Sequence, residues 1–459
     1  MKKVNLLLAA VVAASVSAPA VADFTPNTNF FGYMRAGVGF DKDGKFKSLE
    51  TNKLGRLGNE SNLYGEIGIG ADVAKIDDTV WSVGSMLAVT SSSPNSWVGL
   101  GDGSPAYDSN NKYEEYKGKQ DPDGEIALEQ FYVEVKGLLD FDKDAKIWVG
   151  KKFVQREDIH ITDDYYYNIS GNGFGIYDLS LGSGKFQASY VQNANKKNVN
   201  YENVSDMHSF DVRYAFPLWD GANFQIGNVF AVEKKQTRAD QVLNGNMLTL
   251  EFTQGFNGGW NKTVFQWKKG AMLGQSGTGW GQGDDLGDDD RKNLGYKRDG
   301  NGFKLYNFGE TTIVGDLHMF HVFAYEYSNY DEPWHLQTVF NQDKKVKDLS
   351  IVIRPWYKLT KMTRVYAELG MWAQTTSTND MATGKANEDN NNRAQKVTLA
   401  YAITPDAGNF WSRPEIRFFG TWLHGDTRNG GDKYNNSIVG SHRGGSVDMQ
   451  VGAQVEAWW

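Results

Sequence analysis

Along much of the chain, apolar and polar residues alternate with a period of two, the mark of a strand with one apolar and one wet face. In residues 32–40, one phase reads Gly32, Met34, Ala36, Val38, Phe40 and the other Tyr33, Arg35, Gly37, Gly39. Residues 63–73 set Leu63, Gly65, Ile67, Ile69, Ala71 and Val73 against Tyr64, Glu66, Gly68, Gly70 and Asp72. The chain ends the same way, with Met449, Val451, Ala453, Val455, Ala457 and Trp459 alternating with Gln450, Gly452, Gln454, Glu456 and Trp458. Similar runs occur at 79–90, 222–232, 317–327, 350–356 and 365–372. Each predicted strand has a wholly apolar face opposite a face of charge, amide and glycine.

A soluble sandwich shows this alternation too, and three features favour a membrane barrel over it. The strands run about 10 residues, enough to cross a bilayer at a tilt. Long polar segments separate them, at 101–124, 281–302, 375–394 and 423–445. Trp458 and Trp459 close the last strand, where an interfacial girdle needs aromatics. In lipid a sheet must close on itself so that no edge is left unpaired. The pattern therefore predicts an all-β fold, a transmembrane antiparallel β-barrel with long extracellular loops. About 18 strands suit a chain of this length, and barrels of that size enclose an aqueous channel.

Ahead of the barrel, Lys2 and Lys3 precede an uncharged run that ends in Ala20-Val21-Ala22, the pattern of a cleaved secretory signal over residues 1–22. Residues 23–459 are then one barrel domain, with no linker composition dividing them. No other stretch is apolar enough for a spanning helix. The formal charge is −8, and losing the two leader lysines makes it two units more negative. An acidic chain without a basic block argues against a nucleic-acid partner, because phosphate neutralisation needs clustered Lys and Arg. The absence of cysteine excludes disulfides, thiolate catalysis and Cys-ligated metals.

No nucleophile elbow or phosphate-binding loop is present. His318-Met-Phe-His321 lacks the i, i+4 spacing of a zinc pair, and the aspartates at 284–290 lack the spaced ligands and closing Glu of a calcium loop. Neither a metal nor a cofactor is expected, and the chain does not read as an enzyme. Carboxylate pairs for glycoside hydrolysis are not excluded by spacing, so a secreted β-rich enzyme acting on polysaccharide stands as the alternative from another class.

From Phe31-Gly-Tyr-Met-Arg35 onward the chain resembles the maltoporin family of bacterial outer-membrane sugar porins. Arg56-Leu-Gly-Asn-Glu60 with Tyr64 and Glu66, Trp148-Val-Gly-Lys-Lys-Phe153, Gln155-Arg156 and Asp158-Ile-His160 continue the resemblance. The longest match runs from Asp163 through Tyr165-Tyr-Tyr-Asn-Ile-Ser-Gly171, a sequence like the family's constriction loop. Ile353-Arg-Pro-Trp-Tyr-Lys358, Trp411-Ser-Arg-Pro414 and Gly452-Ala-Gln-Val-Glu-Ala-Trp-Trp459 complete it. The resemblance implies a homotrimer of 18-stranded barrels in the outer membrane, taking maltose and maltodextrins by facilitated diffusion. Sucrose or other glycosides are the alternative cargo.

The resemblance also implies roles for individual residues. An aromatic line would comprise Tyr33, Tyr64, Trp260, Trp411 and Trp458, with Trp97 as a ring reaching a neighbouring subunit's mouth. A polar track would comprise Arg35, Arg56, Glu66, Arg156, Asp158 and Asp163, with Tyr165 narrowing the constriction. Alternation independently puts Tyr33, Tyr64 and Trp458 on the lumen phase. The chemistry fits a sugar, whose apolar C–H faces suit flat rings and whose edges suit bidentate hydrogen bonding. Charges on these strands should face the lumen, because Arg or Lys on the lipid face costs roughly 2–4 kcal/mol at mid-depth. Two departures stand out. Ser61 occupies the place of a cysteine that the family pairs, and Glu129 falls where the family has an arginine. Alternation puts position 129 on the apolar phase of Phe131 and Val133.

Overall fold

The structure, a computed structural model, describes residues 27–45, 52–91, 100–101, 124–196, 203–235, 242–270, 272–273, 300–330, 342–380, 385–386, 390–427 and 446–459. The leader at 1–22 and Trp97 lie outside the described residues, as do most of the segments 101–124, 281–302 and 423–445. Eighteen antiparallel strands, from Thr28–Asp41 to Ser446–Trp458, make one closed barrel. Closure is direct: Tyr33 of the first strand lies opposite Glu66 of the second and Trp458 of the last. The two-residue strands Leu100–Gly101 and Lys385–Ala386 extend the ends of longer neighbours. Among the described residues no helix is long and apolar enough to cross a membrane.

The predicted alternation sorts the faces of the first, second and last strands, whereas at Glu129 a β-bulge breaks it and overturns the apolar-phase placement. In the last strand Val451 is 59% exposed on the outer wall, while Gln450 (1%) and Glu456 (2%) are buried toward the interior. The strands are longer than predicted in places, spanning 7 residues (Lys146–Lys152) to 18 (Thr363–Asp380). The segment 375–394, expected as a loop, is partly sheet, with Thr375 opposite Asn391 and Asp380 opposite Gln342. Its threonines suit a pleated surface, and polar residues on both faces are no obstacle where strands project beyond the bilayer.

One patch departs from the wholly apolar outer face. Asn261, Thr263, Asn307 and His321 sit on the outward phase of three adjacent strands and hydrogen-bond to one another. Asn307 donates to Asn261 Oδ1 (3.0 Å) and Thr263 Oγ1 (2.9 Å), and His321 Nε2 lies 3.1 Å from Asn307 Oδ1. Mutual hydrogen bonding of this kind lets polar groups persist in lipid, although His321 Nδ1 is left without a partner among the described residues.

Tight turns join strands at one end, as at Asn257-Gly258, where φ is 41° and 75°. Positive φ at both central residues gives a turn whose twist matches the flanking strands. The end with short turns is the periplasmic one in such barrels.

Two segments fold into the barrel instead of leaving it. In the first, Leu54 and Leu57 are fully buried. Its backbone is tied to the wall by Lys396 Nζ to Gly55 O (2.5 Å), Leu57 N to Glu368 (3.0 Å) and Gly58 N to Gln454 (3.2 Å). Ser61, in the place of the family's cysteine, accepts a hydrogen bond from Gln450 (3.2 Å), so polar contacts with the wall hold this loop. The second segment carries the hairpin Glu157–Ile159 and Asp164–Tyr167. Ile159, Ile161 and Ile169 are buried, Gln266 donates to Tyr166 O (2.8 Å), Tyr306 donates to Asp164 (3.0 Å), and Tyr167 donates to Asp211. The segments meet where Arg56 N donates to Ile161 O (2.9 Å).

Candidate functional site

The meeting of the two inner segments narrows the lumen, and most of the described residues singled out from sequence gather around it. The rings form a file. Tyr64 and Tyr33 stand 6.0 Å apart between centroids, Tyr33 is the register partner of Trp458, and Trp458 lies 6.3 Å from Trp411. Phe320 bridges to the far end, 6.1 Å from Trp411 and 5.8 Å from Trp260. Phe320 is itself buried and packs behind the file, whereas Trp411 is 37% exposed. Trp411 is not on a strand. It sits on the turn between Asn390–Ile403 and Glu415–Thr427, held inward by Phe410, which packs against Phe320 and Trp356.

The charges form a ladder beside the file. Arg35 pairs with Glu60 (3.8 Å) and Asp163 (3.6 Å), and its guanidinium lies 5.1 Å from the Tyr64 ring centroid. Arg56 pairs with Glu60 (2.9 Å), Asp163 (3.8 Å) and Glu456 (3.5 Å), and donates to Tyr33 Oη (3.0 Å). On the other side Arg156 donates to Glu66 (3.2 Å) and to Tyr165 Oη (3.2 Å), while Tyr64 donates to Glu66 (2.7 Å). Asp158 lies opposite Tyr165 in the hairpin register, open to the lumen, and has no ion pair among the described residues.

Sequence reasoning missed several members. Arg417 and Glu456 lie on inward phases that alternation does mark, and Glu456 bonds Arg413 (2.7 Å) and Arg417. Arg413 covers one face of Trp458 at 4.2 Å. His160 and Arg413 come from irregular segments, where no period signals their direction. His160 packs 5.4 Å from Trp411 and 5.8 Å from Trp458. Burial holds its pKa below the ordinary histidine value, against the pull of Glu456, and its Nε2 lies 3.3 Å from Arg413 and 3.6 Å from Glu456. Burial likewise raises the Tyr165 hydroxyl, which keeps its proton and stays a donor. His318 and His321 fall on opposite faces, as strand sequence dictates: His318 stacks on Trp356 (5.0 Å) and His321 joins the outer patch. No cluster of potential metal ligands occurs among the described residues.

A closed barrel with an apolar wall, a narrowed lumen and a charged interior is a transmembrane β-barrel pore. The LamB porin family matches residues 28–459. The chain is 32% identical to Maltoporin of Vibrio cholerae serotype O1 over the full length of both chains. It is 31% identical to Maltoporin 1 of Klebsiella pneumoniae subsp. pneumoniae, covering 99% of this chain and 97% of that one. Among solved structures, the outer membrane channel DcaP of Acinetobacter baumannii is 13% identical, with TM-score 0.41, over 95% of this chain and 99% of that one. The chain belongs to the LamB porin family and forms a channel in the bacterial outer membrane.

Proposed function

We propose that the channel carries maltose and maltooligosaccharides by facilitated diffusion, with no covalent step. The observation that carries this reading is the file from Tyr64 through Tyr33, Trp458 and Trp411 to Trp260, running beside the ladder of Arg35, Arg56, Glu66, Arg156, Asp158 and Asp163. Rings stack on the C–H faces of successive glucosyl units, and the ladder exchanges hydrogen bonds with their hydroxyls. Tyr165 and Arg156 set the width. Names of the curated relatives point to the same cargo. Single-channel conductance in planar bilayers, titrated with maltose, maltohexaose and sucrose, tests the reading. Block should strengthen with maltooligosaccharide length; sucrose as the best blocker would shift the cargo to other glycosides.

The leader at 1–22 is read as the export signal and removed. The channel is read as a homotrimer. Where the first, second and last strands meet, the outward residues mix Gly32, Ala36, Gly65 and Ala453 with exposed Met34, Leu63 and Ile67, an apolar wall suited to burial against a second copy.

A further inference from the structure

Most carboxylates at the constriction are neutralised by a neighbour. Glu60 and Asp163 share Arg35 and Arg56, Glu66 has Arg156, and Glu456 has Arg413 and Arg417. Asp158 and Glu129 are different: neither has an ion pair or a side-chain hydrogen bond among the described residues.

Strict alternation assigned Glu129 to the lipid side, and a β-bulge corrects that. Met86 pairs with Gln130 and Leu87 with Leu128, which leaves Glu129 as an extra residue in its strand. Leu128 (41%) and Phe131 (61%) are both exposed on the outer wall, while Gln130 between them is 8% exposed. Two outward residues three positions apart require the bulge to place two consecutive side chains on the inner face. Gln130 is one and Glu129, half-buried, is the other. The charges acting on Glu129 are those of Lys151, Arg156 and Glu66, and Glu129 acts in turn on Tyr64. Lys151 is spent on the Leu128 carbonyl. Arg156 is held by Glu66 and Tyr165 and packed against the Phe153 ring at 4.2 Å, so it cannot swing to Glu129 without breaking those contacts.

We propose that Glu129, turned into the lumen by this bulge, acts with Asp158 as an electronegative gate that favours cations, and neutral over anionic glycosides, at the constriction. The proposal rests on the pore reading above. Paired charges cancel a short distance away, whereas unpaired ones inside low-dielectric walls set the potential that a permeating ion meets. The screening length is about 10 Å at 0.1 M salt and about 3 Å at 1 M, so the preference should fade as salt rises.

The test is the reversal potential of the full-length channel in planar bilayers under a KCl gradient, with maltohexaose block recorded on the same channels. Wild type should prefer potassium over chloride at low salt. Glu129→Gln and Asp158→Asn should each lower that preference by about twofold or more, and Glu129→Arg should lower it further. Glu129→Cys supplies a second readout, because the chain has no other cysteine. A membrane-impermeant cationic thiol reagent should modify it through the lumen. Unchanged selectivity in Glu129→Gln, or failure of the reagent to reach Glu129→Cys in assembled channels, overturns the assignment. Selectivity that shifts as expected in channels that maltohexaose never blocks leaves the gate standing and removes the maltooligosaccharide reading instead.

Discussion

Trp411 has the most open ring in the file, while Arg413 already occupies one face of Trp458. If one stacked ring contributes about 1 kcal/mol, the order seen for aromatic pairs, its loss weakens binding roughly fivefold. Trp411→Ala should therefore raise the half-blocking concentration of maltohexaose about fivefold. Ion conductance should hardly change, because the proposed constriction lies at Arg156 and Tyr165 and not at Trp411. A ring that served only packing would lower the yield of assembled channel and leave block untouched, so a blocking titration matching wild type would remove Trp411 from the slide.

At the scale of elements, the inner segments depend on a few buried polar ties. Lys396 Nζ reaches Gly55 O, Asn59 and Glu368 from a fully enclosed position. Lys396→Met keeps the volume but leaves those acceptors with fewer partners, at about 1–3 kcal/mol for each buried group left unsatisfied. The expected outcome is a noisier open channel and a lower melting temperature of the folded barrel, read by circular dichroism. Noise and melting equal to wild type would show that the remaining contacts of Glu368 and Gln454 suffice. The outer patch gives a contrasting pair. His321→Phe leaves the two Asn261–Asn307 hydrogen bonds intact and should be tolerated. Asn307→Leu leaves Asn261 with His321 as its remaining side-chain partner (3.2 Å) and its Oδ1 without a donor, and should lower thermal stability by about 1–3 kcal/mol. Equal melting temperatures for the two variants would mean that the patch meets water or another protein group.

For the whole molecule, closure of the barrel makes the lumen a sealed path, and the trimer reading adds a buried wall between copies. Cross-linking in native membranes should give dimers and trimers, and recovery of monomers alone would remove the trimer. Ala36→Trp, set on that apolar wall, should lower the yield of cross-linked dimers and trimers while leaving single-channel conductance unchanged in whatever assembles. The same substitution on a lipid-facing wall would have little effect on the oligomer, since lipid accommodates a large apolar side chain.

How much of this was legible in the chain depends on whether a residue's direction is a local property. On a strand successive side chains point to opposite faces, so Tyr33, Arg35, Tyr64, Glu66 and Trp458 could be placed in the lumen from sequence alone. The barrel followed from the same alternation together with the need to close a sheet in lipid. No such period governs Arg56, Arg156, Asp158, Asp163, Tyr165 or Trp411. Resemblance named them, but only the packing of Leu57, Ile161 and Phe410 against the wall decided that their segments turn inward. Glu129 shows the limit most clearly. One extra residue in a strand reverses every side-chain direction on one side of it. Whether that residue is absorbed as a bulge depends on the register held by Met86, Leu87 and the neighbouring strand, a contact between residues more than forty positions apart.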